Sequence, residues 1–190
     1  MSLVIAVKED NRFLVGCDTR VTQGCYYSDG YALTKKARMV NNEKNLIVAV
    51  AGDLVIADFA ESILRNHNIK ELTREYIVDD FWPELYQRCL KYTSMDKDAI
   101  NGELIVIMKD KGFYLDSVGS VMEILDICTI GSGAQIADAI WNCLYENKSY
   151  SNKAKIIECI SNASVVRNDI SNEGYIGSTD GKDFTKYRLK

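Results

Sequence analysis

The hydrophobic pattern of the chain alternates between stretches typical of buried strands and stretches typical of helices. Three short runs are apolar at almost every position: LVIAV from Leu3, LIVAVA from Leu46 and ELIVIM from Glu103. A strand that is apolar at both odd and even positions has both of its faces buried. The three runs therefore predict strands that lie inside a layered structure, with other elements packed on each side.

Turn residues and changes of hydrophobic period divide the chain into nine predicted strands and four predicted helices. The strands are Leu3–Lys8, Arg12–Cys17, Lys36–Val40, Asn45–Ala51, Glu103–Lys109, Gly112–Asp116, Val121–Asp126, Tyr175–Ser178 and Phe184–Leu189. The helices are Asp53–Arg65, Thr73–Tyr92 with a bend near Pro83, one opened by Gly131-Ser132-Gly133, and Lys153–Val166. Thr19–Thr34 is predicted to be an irregular loop. Antiparallel hairpins that alternate with pairs of helices predict an α+β fold, a four-layer αββα sandwich of two antiparallel sheets, formed by residues 1–190 as a single domain.

Length and composition are those of a globular protein, with 190 residues, of which 26% are charged, and a net charge of −4. A negative balance argues against nucleic acids and anionic membranes as partners, because both recruit basic surfaces. No apolar run reaches the length of a membrane span, and MSLVIAVKED lacks the features of a signal peptide, so we expect a cytoplasmic protein. The six cysteines form no C-x-x-C pair and there is one histidine, so we expect reduced thiols and neither a metal site nor a cofactor.

Ser2 is a candidate nucleophile because of its position rather than its residue type. It follows Met1 directly and precedes a buried strand, and a small residue at position 2 allows the methionine to be removed. The freed α-amine has a pKa of about 8 and can accept the proton of the hydroxyl on the same residue, which then supplies both nucleophile and base. The single histidine, His67, lies in the polar stretch RNHNIKE, and no G-x-S-x-G segment is present. A Ser-His-Asp triad is therefore disfavoured.

Four further residues have two interpretations each when spacing alone is considered. Asp18, at the end of the second strand, is either a turn residue or a carboxylate that orients a cation near the start of the first strand. Lys36 is either a solvated lysine or a charge beside Ser2 that would favour the alkoxide and lower the pKa of the amine. Gly52, between a strand and a helix, is either a turn glycine or the donor of an oxyanion-binding N–H. Ser132 is either a helix cap, which its spacing favours, or a hydroxyl near the site.

Together these segments resemble the proteasome β subunit and, more closely, the bacterial HslV peptidase. SLVIAVKEDNRFLVGCD is similar to the opening hairpin of that family, which starts at the nucleophile and ends in a G-x-D element. The resemblance places Ser2 on the catalytic threonine and Asp18 on the aspartate of the motif. With a short insertion in the following loop, KKARMV places Lys36 on the catalytic lysine. This role requires Lys36 to lie close to Ser2, and we therefore expect the strand that begins at Lys36 to lie beside the first strand.

Two later segments extend the resemblance. AVAGDLVIADFAE is similar to the family's A-G-x-x-A-D segment and places Gly52 on the oxyanion-hole glycine. ICTIGSGAQIADA is similar to its G-S-G segment and places Ser132 on the serine near the nucleophile. The similarity covers about residues 2–65 and 103–190, and its specificity comes from five segments in the right order and spacing.

The chain departs from the family pattern at two places. The nucleophile is serine instead of threonine, and serine lacks the branched methyl that stiffens χ1. The late R-D-x-x-S-G element is matched in part by Arg167–Asn172, in which Ser171 corresponds to the serine. The acidic position of that element falls either on Asn168 or, after a shift of one residue, on Asp169.

The resemblance implies a peptidase that hydrolyses peptide bonds through an acyl-enzyme on Ser2 once Met1 is removed. Family members form closed rings whose sites face an inner chamber. The resemblance thus implies a homo-oligomeric ring, a peptide or unfolded protein as substrate, and compatibility with an ATP-dependent unfoldase as partner. Two other functions remain open. A small-molecule amidase of the same fold would be favoured by a monomer or dimer, and an inactive ring-forming scaffold subunit would be favoured by retention of Met1.

Overall fold

The computed structural model describes residues 2–23, 26–28, 36–41, 43–92, 99–181 and 183–188. Its strands are β1 Val4–Glu9, β2 Arg12–Asp18, β3 Val21–Gln23, β4 Tyr26–Ser28, β5 Ala37–Asn41, β6 Leu46–Gly52, β7 Gly102–Met108, β8 Lys111–Leu115, β9 Val121–Glu123, β10 Ile127–Ile130, β11 Glu173–Ser178 and β12 Thr185–Arg188. Its helices are α1 Leu54–Asn66, α2 Arg74–Tyr76, α3 Trp82–Tyr92, α4 Ala134–Leu144 and α5 Asn152–Val166, and a π-helical segment, Ile77–Phe81, joins α2 to α3.

Two antiparallel five-stranded sheets form the centre of the fold. The first sheet has the strand order β10-β1-β2-β11-β12, and the second has the order β5-β6-β7-β8-β9. Helices α4 and α5 cover the outer face of the first sheet, whereas α1 and α3 cover the outer face of the second. The predicted four-layer αββα sandwich is therefore confirmed.

The continuous apolar runs follow from the position of the central strands between two cores. In β1, Val4 and Ala6 belong to the core between the sheets, whereas Ile5 and Val7 pack with the residue before the strand, Leu3, against α4 and α5. All five side chains are buried. Because successive side chains on a strand point to opposite faces, a strand that is covered on both sides must be apolar at both parities. Burial of each large apolar side chain contributes about 1.5–3 kcal/mol.

The helices that flank the second sheet follow from an apolar face with helical spacing. In α1 this face is formed by Ile56, Ala60 and Ile63, which are all buried against the sheet. A single residue, Asp53, separates the end of β6 at Gly52 from the start of the helix at Leu54 and provides its N-cap position. This abrupt change brings the start of α1 to the same edge of the sandwich as the start of β1. The bend predicted near Pro83 corresponds to the π-helical segment that immediately precedes α3.

Three features differ from the sequence prediction. The predicted strand Val121–Asp126 ends at Glu123, and a strand that was not predicted, β10 at Ile127–Ile130, follows it in the other sheet. Strand β5, which follows Lys36, lies in the second sheet and not beside β1; it faces the first sheet across the central core. The predicted irregular loop Thr19–Thr34 contains the short hairpin of β3 and β4, while its residues 24–25 and 29–34 lie outside the described part of the chain.

Candidate active site

Ser2 lies where the space between the two sheets opens to the surface. A cleft of about 550 Å³ is present there, and its walls include Ser2, Gly52, Asn101, Glu103, Gly131 and Ser132. Ser2 itself is 3% exposed. Its backbone carbonyl accepts a hydrogen bond from the Gly133 N–H at 3.4 Å. The candidate nucleophile is thus held in a defined position at one wall of a cleft large enough for a peptide side chain.

Asp18 is the centre of the hydrogen-bond network behind Ser2. Its Oδ1 accepts from the Leu3 backbone N–H at 2.8 Å and from Lys36 Nζ at 2.6 Å. Its Oδ2 accepts from the backbone N–H groups of Arg20 at 3.0 Å and Ser171 at 3.3 Å. A carboxylate with four donors compensates for the loss of water on burial. Asp18 therefore joins the start of β1, the lysine before β5 and the segment before β11.

Lys36 reaches this network from the opposite sheet. The residue directly precedes β5, and its backbone carbonyl accepts from the Val50 N–H at 2.8 Å, which fixes it beside β6. Its side chain crosses to Asp18 and is 2% exposed. Because the ammonium and the Leu3 N–H bind the same Asp18 oxygen, the charge lies beside the peptide group that joins Ser2 to Leu3. The structure thus brings Ser2, Asp18 and Lys36 together, although it does so across the sheets and not within one sheet.

Gly52 and Gly131 shape the cleft through backbone conformations that side chains rarely adopt. Gly52 has φ +134°, and a Cβ there would lie 2.3 Å from the Asn101 carbonyl oxygen. Gly131 has φ +96°, and a Cβ there would lie 2.2 Å from the Ser2 carbonyl oxygen. Only glycine fits either position without a shift of backbone. Gly52 also stands just before the N-terminus of α1, where N–H groups and the helix dipole favour negative charge.

Ser132 connects the cleft to an acidic residue in the segment between α5 and β11. Its hydroxyl donates to Asp169 Oδ2 at 2.9 Å and lies 3.4 Å from the Ser2 carbonyl oxygen. The capping role that spacing favoured is wrong, because the N-cap of α4 is Gly133 and has no side-chain cap bond. The hydrogen-bonded Arg167 guanidinium, followed by the Ser132 hydroxyl, holds the pKa of Asp169 below its ordinary value, against the effect of burial.

The structure separates the two candidates for the late acidic position. The Asp169 side chain is 7% exposed and accepts from Arg167 Nε at 2.8 Å. Asn168 is exposed, and its backbone carbonyl accepts from the Arg20 guanidinium. Ser171 is fully buried, and its N–H donates to Asp18. The geometry therefore joins Asp169 and Ser171 to the site and leaves the Asn168 side chain outside it.

Glu103 is the residue of the cleft that sequence reasoning missed. It starts an apolar strand, but its carboxylate accepts from the Gly131 N–H at 3.0 Å and from the Tyr114 hydroxyl at 2.8 Å. Desolvation and this hydrogen bond raise the pKa of Tyr114. The signal in the sequence was a charged residue, Glu103, at the start of the otherwise apolar run ELIVIM. It could not reveal Gly131 as a partner, because Glu103 lies on β7 of the second sheet and Gly131 follows β10 of the first.

Neither the nearest thiol nor a metal centre competes with this arrangement among the described residues. The thiol nearest the network, Cys17, is buried, and desolvation raises its pKa to about 11. A thiol of that pKa is protonated at neutral pH and is a poor nucleophile. Among the described residues, no group of three or more His, Cys, Asp or Glu is placed to hold a metal ion. Within the same residues, no helix combines the length and apolarity needed to cross a bilayer.

The chain is similar to known proteins both in sequence and in structure. The model of the proteasome subunit family matches residues 2–176. Comparison with curated protein sequences gives no significant match. At the level of structure, the chain is similar to Thiobacillus denitrificans BPH in complex with epoxomicin, with a TM-score of 0.76 and 17% identity over 93% of this chain and 97% of that one. Thiobacillus denitrificans BPH also matches in a second structure, with a TM-score of 0.76 and 17% identity over 93% of this chain and 96% of that one. Eukaryotic HslV from Trypanosoma brucei has a TM-score of 0.68 and 18% identity over 93% of this chain and 98% of that one. At these identities the structural likeness shows the fold.

Proposed function

This chain belongs to the proteasome subunit family, and on that premise we propose that it is a peptidase whose nucleophile is Ser2 after removal of Met1. The peptide bond would be cleaved in two steps through an acyl-enzyme. In the first, Ser2 Oγ attacks the carbonyl carbon, and the α-amine of the same residue takes the hydroxyl proton and passes it to the leaving amine. In the second, water attacks the ester while the amine takes a proton from it, and the amine gives this proton to Oγ as the ester bond breaks and the acid product leaves.

The proposed roles of the other residues follow from their charges and positions. Lys36 places a buried positive charge beside the residue whose hydroxyl becomes negative, which favours the alkoxide and disfavours protonation of the amine. Asp18 acts through Lys36. Its Oδ1 accepts hydrogen bonds from both the Lys36 ammonium and the Leu3 N–H, and so fixes the ammonium beside the start of the chain. Gly52 would donate its N–H to the oxyanion at the start of α1. Ser132 and Asp169 would hold the backbone of Ser2 at its wall of the cleft.

The observation that supports this function most directly is the shared oxygen of Asp18. Two distant segments place a buried cation and the peptide group between Ser2 and Leu3 on a single atom. A buried ion pair contributes little to stability compared with apolar residues of similar size. Its position beside the N-terminal residue is therefore better accounted for by chemistry than by packing alone.

The test is hydrolysis of short fluorogenic peptides by the wild type and by Ser2→Ala. We expect Ser2→Ala to abolish hydrolysis, because the hydroxyl that forms the acyl-enzyme is absent. We expect the same loss in a variant that keeps any residue ahead of Ser2, because an amide nitrogen cannot act as the base. Intact-mass measurement establishes whether Met1 is present. Epoxomicin, which is bound in the similar Thiobacillus structure, should block the wild type.

The matched control is Ser149→Ala, a change of the same type at an exposed serine after α4. It should hydrolyse peptides at the wild-type rate, and circular dichroism should show all variants folded. Full activity of Ser2→Ala would refute the mechanism. A wild type that lacks Met1 but cleaves small amides and no peptide would favour the amidase. An inactive wild type that retains Met1 would favour the scaffold subunit.

We also propose that the chain assembles into a homo-oligomeric ring that takes peptides or unfolded proteins, with an ATP-dependent unfoldase as a candidate partner. Apolar side chains at its surface support an interface. Val165 and Val166, at the end of α5, are 84% and 70% exposed, and Leu125 is 76% exposed. Val165 and Val166 are adjacent at the end of one helix, and neighbouring exposed apolar groups are a feature of association sites. Light scattering should give a mass many times that of the 21.4 kDa chain; a monomer at micromolar concentration would contradict the ring.

A further inference from the structure

The carboxylates around the cleft differ in whether a cation compensates them. Asp18 is paired with Lys36, and Asp169 is paired with Arg167. Glu103 instead accepts from two neutral donors, a backbone N–H and a tyrosine hydroxyl. Neutral donors stabilise a carboxylate without cancelling its charge. The negative charge of Glu103 therefore remains available to whatever enters the cleft.

The position of Glu103 directs that charge toward the substrate. Along β7 its side chain shares a face with Ile105 and Ile107, which fill the core between the sheets. Glu103 is the last residue of this face before the sheets part, and it lines the cleft together with Ser2. Its Oε2 is bound to Gly131, whose backbone packs against the Ser2 carbonyl. Gly131 therefore links the Glu103 carboxylate to the residue that carries the candidate nucleophile.

The other described side chains that line the cleft supply no positive charge to offset Glu103. Asp53 adds a second carboxylate at its rim, and the described residues that line the cleft include neither Lys nor Arg. The field of Glu103 is also felt by Cys128, whose pKa is raised to about 12 by desolvation and then by this carboxylate. A cleft with this lining attracts a cation and repels an anion.

We propose that Glu103 is a specificity-determining residue that selects peptides with a positively charged side chain, arginine or lysine, next to the scissile bond. This inference rests on the proposed peptidase function and names its substrate class. A charge pair in a partly buried site favours the charged ligand over a neutral one of the same shape. We expect a preference of about tenfold in kcat/KM, decreasing as salt is raised because screening weakens the attraction.

The experiment compares two peptides that differ only in charge, one with arginine and one with citrulline at the residue before the scissile bond. Citrulline has nearly the shape of arginine but is neutral. The wild type should cleave the arginine peptide about tenfold faster in kcat/KM, and Glu103→Gln should bring the ratio close to one. Glutamine can still accept from Gly131 and donate to the Tyr114 oxygen, so the contacts of Glu103 are kept while its charge is lost. Glu146→Gln, at an exposed position after α4, makes the same change in net charge and should keep the wild-type ratio.

A binding measurement separates this inference from the proposed function. In Ser2→Ala, calorimetry should show tighter binding of the arginine peptide than of the citrulline peptide, and the double variant with Glu103→Gln should lose the difference. Hydrolysis of both peptides at equal rates would overturn the inference and leave the peptidase intact. Selective binding of the arginine peptide without hydrolysis by the wild type would overturn the peptidase and support the cationic specificity. Should Glu103→Gln fail to fold, a wild-type ratio that is near one at low salt would still refute the inference.

Discussion

The buried pair of Lys36 and Asp18 makes separable contributions to stability and to rate. Their side chains are 2% and 0% exposed, and the charged atoms are 2.6 Å apart. At an effective dielectric constant of about 20, two unit charges at that distance attract each other by about 6 kcal/mol. Desolvation of both ions offsets much of this energy, but removing one partner leaves the other charge buried and unpaired, at a cost of about 3–5 kcal/mol. We expect Lys36→Met to lower the free energy of unfolding by an amount in that range.

The double variant Lys36→Met with Asp18→Asn distinguishes the two contributions. Its loss of stability should be smaller than the sum of the two single losses by about 1–3 kcal/mol, because no unpaired ion is left in the core. Its peptide hydrolysis should stay reduced by about 10²–10³ in kcat, as in Lys36→Met, because the cation beside the nucleophile is absent from both. Urea unfolding measures the first quantity and fluorogenic peptide hydrolysis the second. Strictly additive losses of stability would refute the ion-pair reasoning, and wild-type kcat in Lys36→Met would refute the electrostatic role.

Two further predictions concern the walls of the cleft. Because the pKa of Asp169 is below its ordinary value of 3.8 in the folded protein, the stability it contributes is present above that pH and is lost as pH falls through the lower folded value. The cost of Asp169→Asn in urea unfolding should therefore be largest near pH 6 and shrink below about pH 4; a cost that grows in acid would contradict this. Gly131→Ala should lower both stability, by about 1 kcal/mol or more, and the rate of peptide hydrolysis, because its Cβ would displace the Ser2 carbonyl. The control Gly181→Ala, where a Cβ would lie 3.1 Å from a serine side-chain oxygen at an ordinary φ, should change both little, and equal effects of the two changes would count against the argument.

The candidate site combines residues that the sequence could identify with partners that it could not. The resemblance of their segments to the proteasome family predicted Ser2, Asp18, Lys36 and Gly52 as site residues, and the structure brings them to one edge of the sandwich. The choice between Asn168 and Asp169 was open in the sequence, because a shift of one residue changes which side chain faces the site. The structure favours the aspartate through its bond to Ser132, 37 residues away in the chain.

Local pattern by itself determined most of the strands, the main helices and the burial of both faces of the central strands, because these depend on neighbours two to four residues apart. It also indicated an N-terminal nucleophile, since a small residue before a buried strand is visible without any tertiary contact. Only the tertiary structure decided that β5 belongs to the second sheet and that β9 and β10 separate into different sheets. It likewise decided that the Glu103 carboxylate accepts a hydrogen bond from Gly131, which is 28 residues away in the chain. Strand partners and cross-sheet contacts depend on how distant segments pack in a shared core. The hydrophobic period of one segment does not specify which other segment packs against it.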